Sequence, residues 1–347
     1  MPVNRLFSLS LLAALLVGSA SAQAEVRVLT SVKPLQLIAA AVQDGVGEPD
    51  VLLPASASAH HYALRPSDVR RIRDAELLYW IGPDLESFLP HALSGRKGAT
   101  VAVQALPGLT LRHFGDAHEH AEADEHHDPA DEHAHDHDDH DDHDDHDDHE
   151  PAHADEHDHD HRPGSLDAHL WLLPANARVI AERMAADFAT ADPANAERYQ
   201  ANLAAFAQRL EALDARLAQR FAGVRNKPFF VFHEAYDYFE AAYGLRHAGV
   251  FSAGGEAQPG ARHVAAMRER LQQAGPSCVF SEPPARPRLA ETLTSGLPVK
   301  MVELDVLGVG LAADAQGYER LLEGLGNALA DCWIRCNAHG LWVAVEA

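Results

Sequence analysis

Beyond its first 24 residues, the sequence has no apolar run that approaches the length of about 18 residues needed to cross a bilayer. The first 24 residues combine a basic start at Arg5, a mostly apolar stretch over 6–17 and small residues ending at Ala24. This pattern is typical of a cleaved signal peptide and is too short for a membrane anchor. We therefore expect an exported chain that is soluble and monomeric once residues 1–24 are removed.

Basic residues are scarce, and the segment 113–161 contains none. The chain has 28 Lys and Arg against 52 Asp and Glu, and this one segment holds 22 of the acidic residues and 16 of the 24 histidines. The rest of the chain is nearly neutral and has no basic patch, which argues against a nucleic-acid partner or an anionic membrane surface. With almost no apolar residues, the segment cannot bury a core, so we expect a disordered loop that binds several divalent ions weakly.

Cysteine is also rare, and the three cysteines lie in the C-terminal third at Cys278, Cys332 and Cys336. In an exported chain, one disulfide between Cys278 and either of the other two is the expected use. No Cys-x-x-Cys spacing is present, so the sequence gives little support for a thiolate metal site.

Strand-like and helix-like segments alternate in both halves of the chain. This order predicts an α/β fold with parallel sheets and crossover helices, divided into an N-terminal lobe over 25–190 and a C-terminal lobe over 223–347. The predicted strands are Val26–Thr30, Asp50–Leu53, Leu77–Ile81, Thr100–Val103, Pro228–Phe232, Ala248–Phe251, Cys278–Ser281 and Val299–Leu304, with helices over Leu35–Val42 and Ser67–Ala75.

A single long helix is predicted between the lobes, over residues 191–222. Asp192 followed by Pro193 is typical of a helix start, and apolar residues then recur every three or four positions until Gly223. A helix of about 30 residues spans about 45 Å and can bridge two lobes.

Histidines at the ends of strands are the candidate metal ligands. His60 comes shortly after one predicted strand, His233 directly follows another, and Glu282 follows a third. Open α/β sheets bind ligands at the carboxyl ends of their strands, and imidazole and carboxylate are common zinc ligands. With His169, these residues predict a four-ligand site between the lobes. His91, His247, His263 and His339 are expected to be structural or surface residues.

Short motifs spread over nearly the whole mature chain resemble those of the periplasmic zinc-uptake solute-binding proteins, the ZnuA type. The motifs occur in the family's order, and the His-rich segment lies where those proteins carry theirs. They are Ser31-Val-Lys-Pro-Leu35, Leu53-Pro54, His60 with Leu64-Arg-Pro-Ser-Asp68, His169-Leu-Trp171, Val231-Phe-His-Glu-Ala-Tyr236, Gln258-Pro-Gly260 and Cys278-Val-Phe-Ser-Glu-Pro283.

The resemblance implies two Rossmann-like lobes joined by a rigid helix, with zinc bound in the cleft by His60, His169 and His233. It also implies a periplasmic location, a Cys278–Cys332 disulfide, and delivery of the ion to an ABC-type permease driven by a cytoplasmic ATPase. The fourth ligand varies within the family. Where some zinc-specific members have Glu before the first histidine, this chain has Ala59, which leaves Glu282 or water for that position.

Two other functions fit parts of the same pattern. A solute-binding protein for manganese or nickel would share the fold, but manganese prefers oxygen-rich sites, so His233 and the His-rich segment favour zinc. Three histidines with an open fourth position also occur in zinc hydrolases. The sequence gives no clear catalytic base, so we expect a binding protein rather than an enzyme.

Overall fold

The computed structural model describes residues 26–54, 57–115, 164–252, 261–282 and 288–334. The predicted signal peptide, nearly all of the His-rich segment, the Gln258-Pro-Gly260 motif and the residues from 335 onward, which include Cys336 and His339, lie outside these ranges. Within the described part of the chain, no helix is both long and apolar enough to span a membrane.

The N-terminal half forms a parallel sheet of four strands in the order β2-β1-β3-β4. Its strands are largely apolar and its helices cover them, as expected for parallel sheets, which bury both faces. The elements are β1 (Val28–Thr30), α1 (Lys33–Gln43), β2 (Asp50–Val51), α2 (Pro66–Asp74), β3 (Leu77–Trp80), α3 (Pro90–Leu93) and β4 (Ala99–Ala102).

The C-terminal half repeats this topology with a second parallel sheet, in the order β6-β5-β7-β8. Two helices precede it, α4 (Pro174–Ala191) and α5 (Ala196–Phe221). The remaining elements are β5 (Phe229–His233), α6 (Asp237–Tyr243), β6 (Gly249–Ser252), α7 (Ala261–Ala274), β7 (Ser277–Ser281), α8 (Arg288–Thr294), β8 (Val299–Glu303) and α9 (Gly317–Ile334). The predicted fold class, two parallel α/β lobes and a long helix, is confirmed.

The long helix α5 begins later than the sequence predicts. It has 26 residues because Pro193–Asn195 form a separate 3-10 turn. The side chain of Asp192 does not cap a helix there. It accepts hydrogen bonds from the hydroxyl of Tyr199 at 3.0 Å and from the side-chain amide of Asn195 at 2.6 Å. These bonds hold the turn against α5.

One continuous hydrophobic core extends from the first sheet to the second. Helix α1 is buried along almost its whole length and packs against α4, α5 and α9, so α9, the last helix among the described residues, returns to the N-terminal half. Hydrogen bonds reinforce this junction: the indole of Trp171 donates to the carbonyl of Val306 at 3.0 Å, and the hydroxyl of Tyr238 donates to the carbonyl of Asp167 at 2.9 Å. The two lobes are therefore joined by packed helices as well as by the chain.

The predicted disulfide between Cys278 and Cys332 is present. It joins β7 to α9, with both sulfur-bearing residues fully buried. Of the two pairings that the cysteines alone leave open, the structure has the one implied by the family resemblance.

Candidate metal centre

Three histidines reach the cleft between the two sheets from different elements. His60 lies in the loop after β2, where the hydroxyl of Ser58 accepts a hydrogen bond from its backbone N–H at 3.2 Å. His169 immediately precedes a 3-10 turn that starts at Leu170, and His233 is the last residue of β5. The two lobes therefore both contribute imidazoles to the same space.

These three imidazoles form a nearly equilateral triangle. The ring centroids of His60 lie 5.6 Å from those of both His169 and His233, and the last two are 5.1 Å apart. One nitrogen from each ring lies within 4.8 Å of the other two. Tetrahedral zinc with Zn–N distances of about 2.0 to 2.1 Å needs nitrogens about 3.4 Å apart, so shifts of about 1 Å complete the geometry.

His169 is held by a buried carboxylate. Oδ1 of Asp167 lies 2.8 Å from Nδ1 of His169 and also accepts the backbone N–H of the same residue at 2.9 Å. Asp167 is fully buried, and this burial raises the pKa of its carboxyl to about 7, although the hydrogen bond from the His169 backbone acts in the opposite direction. Because Nδ1 is engaged, Nε2 is the nitrogen that His169 would present to a metal.

His233 is held in the same way by Glu282. The two carboxylate oxygens lie 3.0 and 3.2 Å from Nδ1 of His233, and the hydroxyl of Tyr236 donates to the carboxylate at 3.3 Å. Burial acts to lower the pKa of His233, but the charge and hydrogen bond of Glu282, together with the charges of nearby carboxylates, raise this pKa overall. Burial likewise acts to raise the pKa of Glu282, which its contact with His233 lowers instead. The pair is thus an ionic contact that orients the imidazole.

All four sequence-predicted site residues therefore lie together, but in two different positions. The three histidines converge on one another, whereas Glu282 stands behind the ring of His233. This contact supports a positioning role for Glu282. Direct ligation by this carboxylate stays a prediction and would require it to leave Nδ1 of His233.

Asp167 is the functional residue that sequence reasoning missed. Its only signal was the spacing Asp-x-His, which places a carboxylate two residues before a candidate ligand. His61, adjacent to His60, is exposed and does not join the triangle.

Replacing Asp167 with Asn is expected to weaken zinc binding by about 10- to 100-fold, the usual cost of losing a residue that orients a metal-bound imidazole. The amide can donate to Nδ1 and so stabilise the tautomer that carries its proton on Nε2, the nitrogen needed for the metal. Competition against a fluorescent zinc chelator measures the change. Asp74→Asn, at an exposed position of α2, is the matched control. Unchanged affinity in Asp167→Asn would show that the contact has no role in binding.

The chain matches known proteins along almost its full length. The model of the family described as "ZnuA: Zinc-uptake complex component A periplasmic" matches residues 28–332. The high-affinity zinc uptake system protein ZnuA of Yersinia pestis is 36% identical over 327 residues, which cover 93% of this chain and 96% of the relative.

Solved structures agree on the fold at lower identity. A crystal structure of ZnuA is 20% identical, with a TM-score of 0.65, and the alignment covers 88% of this chain and 100% of that one. The solute-binding protein FpvC of Pseudomonas aeruginosa, in complex with Mn²⁺, is 18% identical with a TM-score of 0.67, covering 89% of this chain and 98% of FpvC. With the family model matching nearly all of the described sequence, the chain belongs to the ZnuA family of periplasmic zinc-uptake components.

Proposed function

We propose that this protein captures Zn²⁺ in the periplasm and delivers it to an ABC-type importer, made of a permease in the inner membrane and a cytoplasmic ATPase. The observation that carries the proposal is the triangle formed by His60, His169 and His233, with one nitrogen of each ring within 4.8 Å of the others. The family's membership in zinc-uptake systems gives this site its place in transport. We propose that the protein acts as a monomer and that its role is binding rather than catalysis.

The ligand chemistry favours zinc over manganese. Three neutral imidazoles suit zinc, nickel and copper, whereas manganese prefers carboxylate and carbonyl oxygens. The nearest carboxylates, Asp167 and Glu282, are engaged with the Nδ1 atoms of two of these histidines. In that arrangement they make the imidazoles better ligands instead of supplying oxygen to the ion.

Because the imidazoles come from both lobes, metal binding and lobe contact are one event in this proposal. An ion held by His60, His169 and His233 lies between the two sheets, at the carboxyl ends of their strands. The zinc-loaded and zinc-free proteins then differ at the mouth of the cleft. A permease that contacts this surface can distinguish the two states.

For the His-rich segment 113–161 we propose a supporting role. Its 16 histidines, interleaved with carboxylates, bind several ions weakly and raise the zinc concentration next to the cleft. Solubility alone would require charge but not histidine at such density.

The proposal is tested by competition between metals. Zinc is expected to displace manganese from the cleft, and a large excess of manganese should leave zinc bound, as measured by calorimetry with each metal and with mixtures. His60→Ala should lose the preference, while His91→Ala, which removes an exposed histidine of α3, should keep it. Tighter binding of manganese than of zinc would overturn the assignment of the cargo.

A further inference from the structure

A second group of metal-ligating side chains lies in the C-terminal half, beside the cleft but separate from its three histidines. Glu234 follows the last residue of β5, Asp237 begins α6, and His247 lies in the turn between α6 and β6. One ligand atom from each of these side chains lies within 4.8 Å of the other two. The sequence predicts only a structural or surface role for His247.

His247 is oriented as metal-binding imidazoles commonly are. Its Nδ1 lies 2.9 and 3.1 Å from the two carboxylate oxygens of Glu240, which also accepts the backbone N–H of His247 at 3.1 Å. Asp237 and His247 are only 5% and 4% exposed, whereas Glu234 is partly exposed at the edge of the group. A carboxylate beside Nδ1 fixes the orientation of the ring, and Oδ1 of Asp237 lies 3.9 Å from the same nitrogen.

The surroundings of this cluster carry an excess of negative charge. Glu234, Asp237 and Glu240 are joined by Asp167, which is fully buried and whose Oδ2 has no hydrogen-bond partner among the described residues. The carbonyl of Asp167 accepts a hydrogen bond from the hydroxyl of Tyr238, the residue after Asp237, at 2.9 Å, which places Asp167 beside this group. Burial, and then the charge of Glu240, raise the pKa of Asp237 to about 6.

Among the described residues, the basic groups that face these carboxylates are Arg112, His247 and the cleft histidines His60 and His233. Arg112 is close enough to lower the pKa of Asp167 and Asp237. Burial acts to lower the pKa of His247, but the carboxylates of Glu240 and Asp237 raise it to about 9. Asp167, Asp237 and Glu240 are buried carboxylates, and a bound cation would neutralise part of their charge, since buried charges are normally paired or coordinate metals.

We propose that Glu234, Asp237 and His247 form a second binding site for a divalent transition metal ion. One imidazole nitrogen and two carboxylate oxygens suit zinc and also accept manganese. When the ion binds, the imidazolium of His247 releases its proton to solvent, and the metal takes the place of that charge. The site does not depend on the transport role proposed for the three histidines.

The position of this site suggests what it would do. The hydroxyl of Tyr238, the residue after Asp237, accepts the backbone N–H of Arg112 at 3.0 Å and donates to the carbonyl of Asp167 at 2.9 Å. These two residues lie just outside the ends of the His-rich segment, so the cluster stands next to its point of attachment. Glu234 in turn adjoins His233. The second site therefore lies between the attachment point and the cleft, where it can hold an ion on its way to the three histidines.

Zinc-edge anomalous diffraction from crystals of the mature protein grown with Zn²⁺ tests this inference. Two peaks are expected, one among His60, His169 and His233 and one among Glu234, Asp237 and His247. His247→Gln and Asp237→Asn should each remove the second peak and preserve the first, with the affinity of the second site falling at least about 10-fold. His263→Gln is the control, since its ring contacts the carbonyl of Val250 and lies outside the cluster.

The two sites succeed or fail separately in this experiment. No density at the second site while the three histidines hold zinc would overturn the inference and show that His247 and Glu240 are a structural ion pair only. A second peak that persists in both variants would overturn the ligand assignment. Density at the second site without density at the three histidines would support the inference and contradict the proposed function. Using two variants guards against misfolding of either one.

Discussion

Zinc binding in the cleft is expected to fall by about 10,000-fold when His169 and His233 are both replaced with Ala. A residue that only orients a metal ligand contributes about 10- to 100-fold to metal affinity, and we take each ligand itself to contribute at least about 100-fold. The change equals about 5.5 kcal/mol, because every tenfold is about 1.4 kcal/mol. Only His60 would then remain of the triangle, and a single imidazole cannot retain zinc against a chelator.

The measurement requires a chain without the His-rich segment, whose own weak sites would mask the loss. The structure indicates where to cut. The N–H of Phe114 donates to the carbonyl of Ser165 at 3.0 Å, and the N–H of Gly164 donates to the carbonyl of Phe114 at 2.7 Å. Gly115 and Gly164 both have positive φ, at 96° and 87°. Joining them after deleting residues 116–163 should close a short hairpin, for which adjacent glycines are well suited.

The matched control replaces His91 and His263 in the same shortened chain. Both lie outside the triangle, on α3 and α7, so their loss should leave the affinity unchanged. Calorimetry with a competing chelator gives the affinities of all three chains. Tight zinc binding that survives the loss of His169 and His233, and that His247→Gln in the same chain does not remove, would disprove the convergence of the two lobes on one ion.

Removing the disulfide is the second change with a large expected effect. Cys278 and Cys332 are separated by 54 residues, and closing a loop of that length stabilises the folded state by about 4 kcal/mol. Replacing both with Ala should therefore lower the free energy of unfolding by about this amount. Urea unfolding followed by the fluorescence of the tryptophans measures it.

Cys336→Ser is the control, because it shows whether replacing any cysteine lowers the stability of the protein. Because Cys278 is bonded to Cys332, the loss of Cys336 should not change the urea midpoint. An equal loss of stability in Cys336→Ser would show that the pairing in solution is different.

The alternation of strands and helices made the fold predictable, yet two long helices were missed. In α4 the buried positions recur with helical spacing, but several of them are alanines. Because alanine is only weakly hydrophobic, the buried and exposed faces of this helix differ little in the sequence pattern. In α9, Gly324 and Gly326 suggest a break in the helix. The structure gives the second glycine a purpose, since a Cβ at Gly326 would lie 2.3 Å from the side chain of Leu217. Glycine there allows α9 to pack closely against α5.

The three candidate ligands were predictable for a different reason. His60 and His233 follow strands, and parallel strands bring their carboxyl ends to one edge of a sheet. The sequence placed Glu282 at the site but could not show that it contacts Nδ1 of His233, because that contact joins residues 49 positions apart and depends on how their strands pair. The cluster around His247 similarly depends on how the turn after α6 folds back onto that helix.

The shared core between the lobes limits how the cargo can leave. A hinge that swung wide would have to strip α1 from α5 and α9, exposing apolar surface at a cost of about 25 cal/mol per Å². Thermal opening on that scale would be too rare to serve unloading. In the transport role proposed above, release would instead proceed through small displacements at the rim, imposed by a docked importer, so the work of emptying the protein would come from ATP hydrolysis on the other side of the membrane.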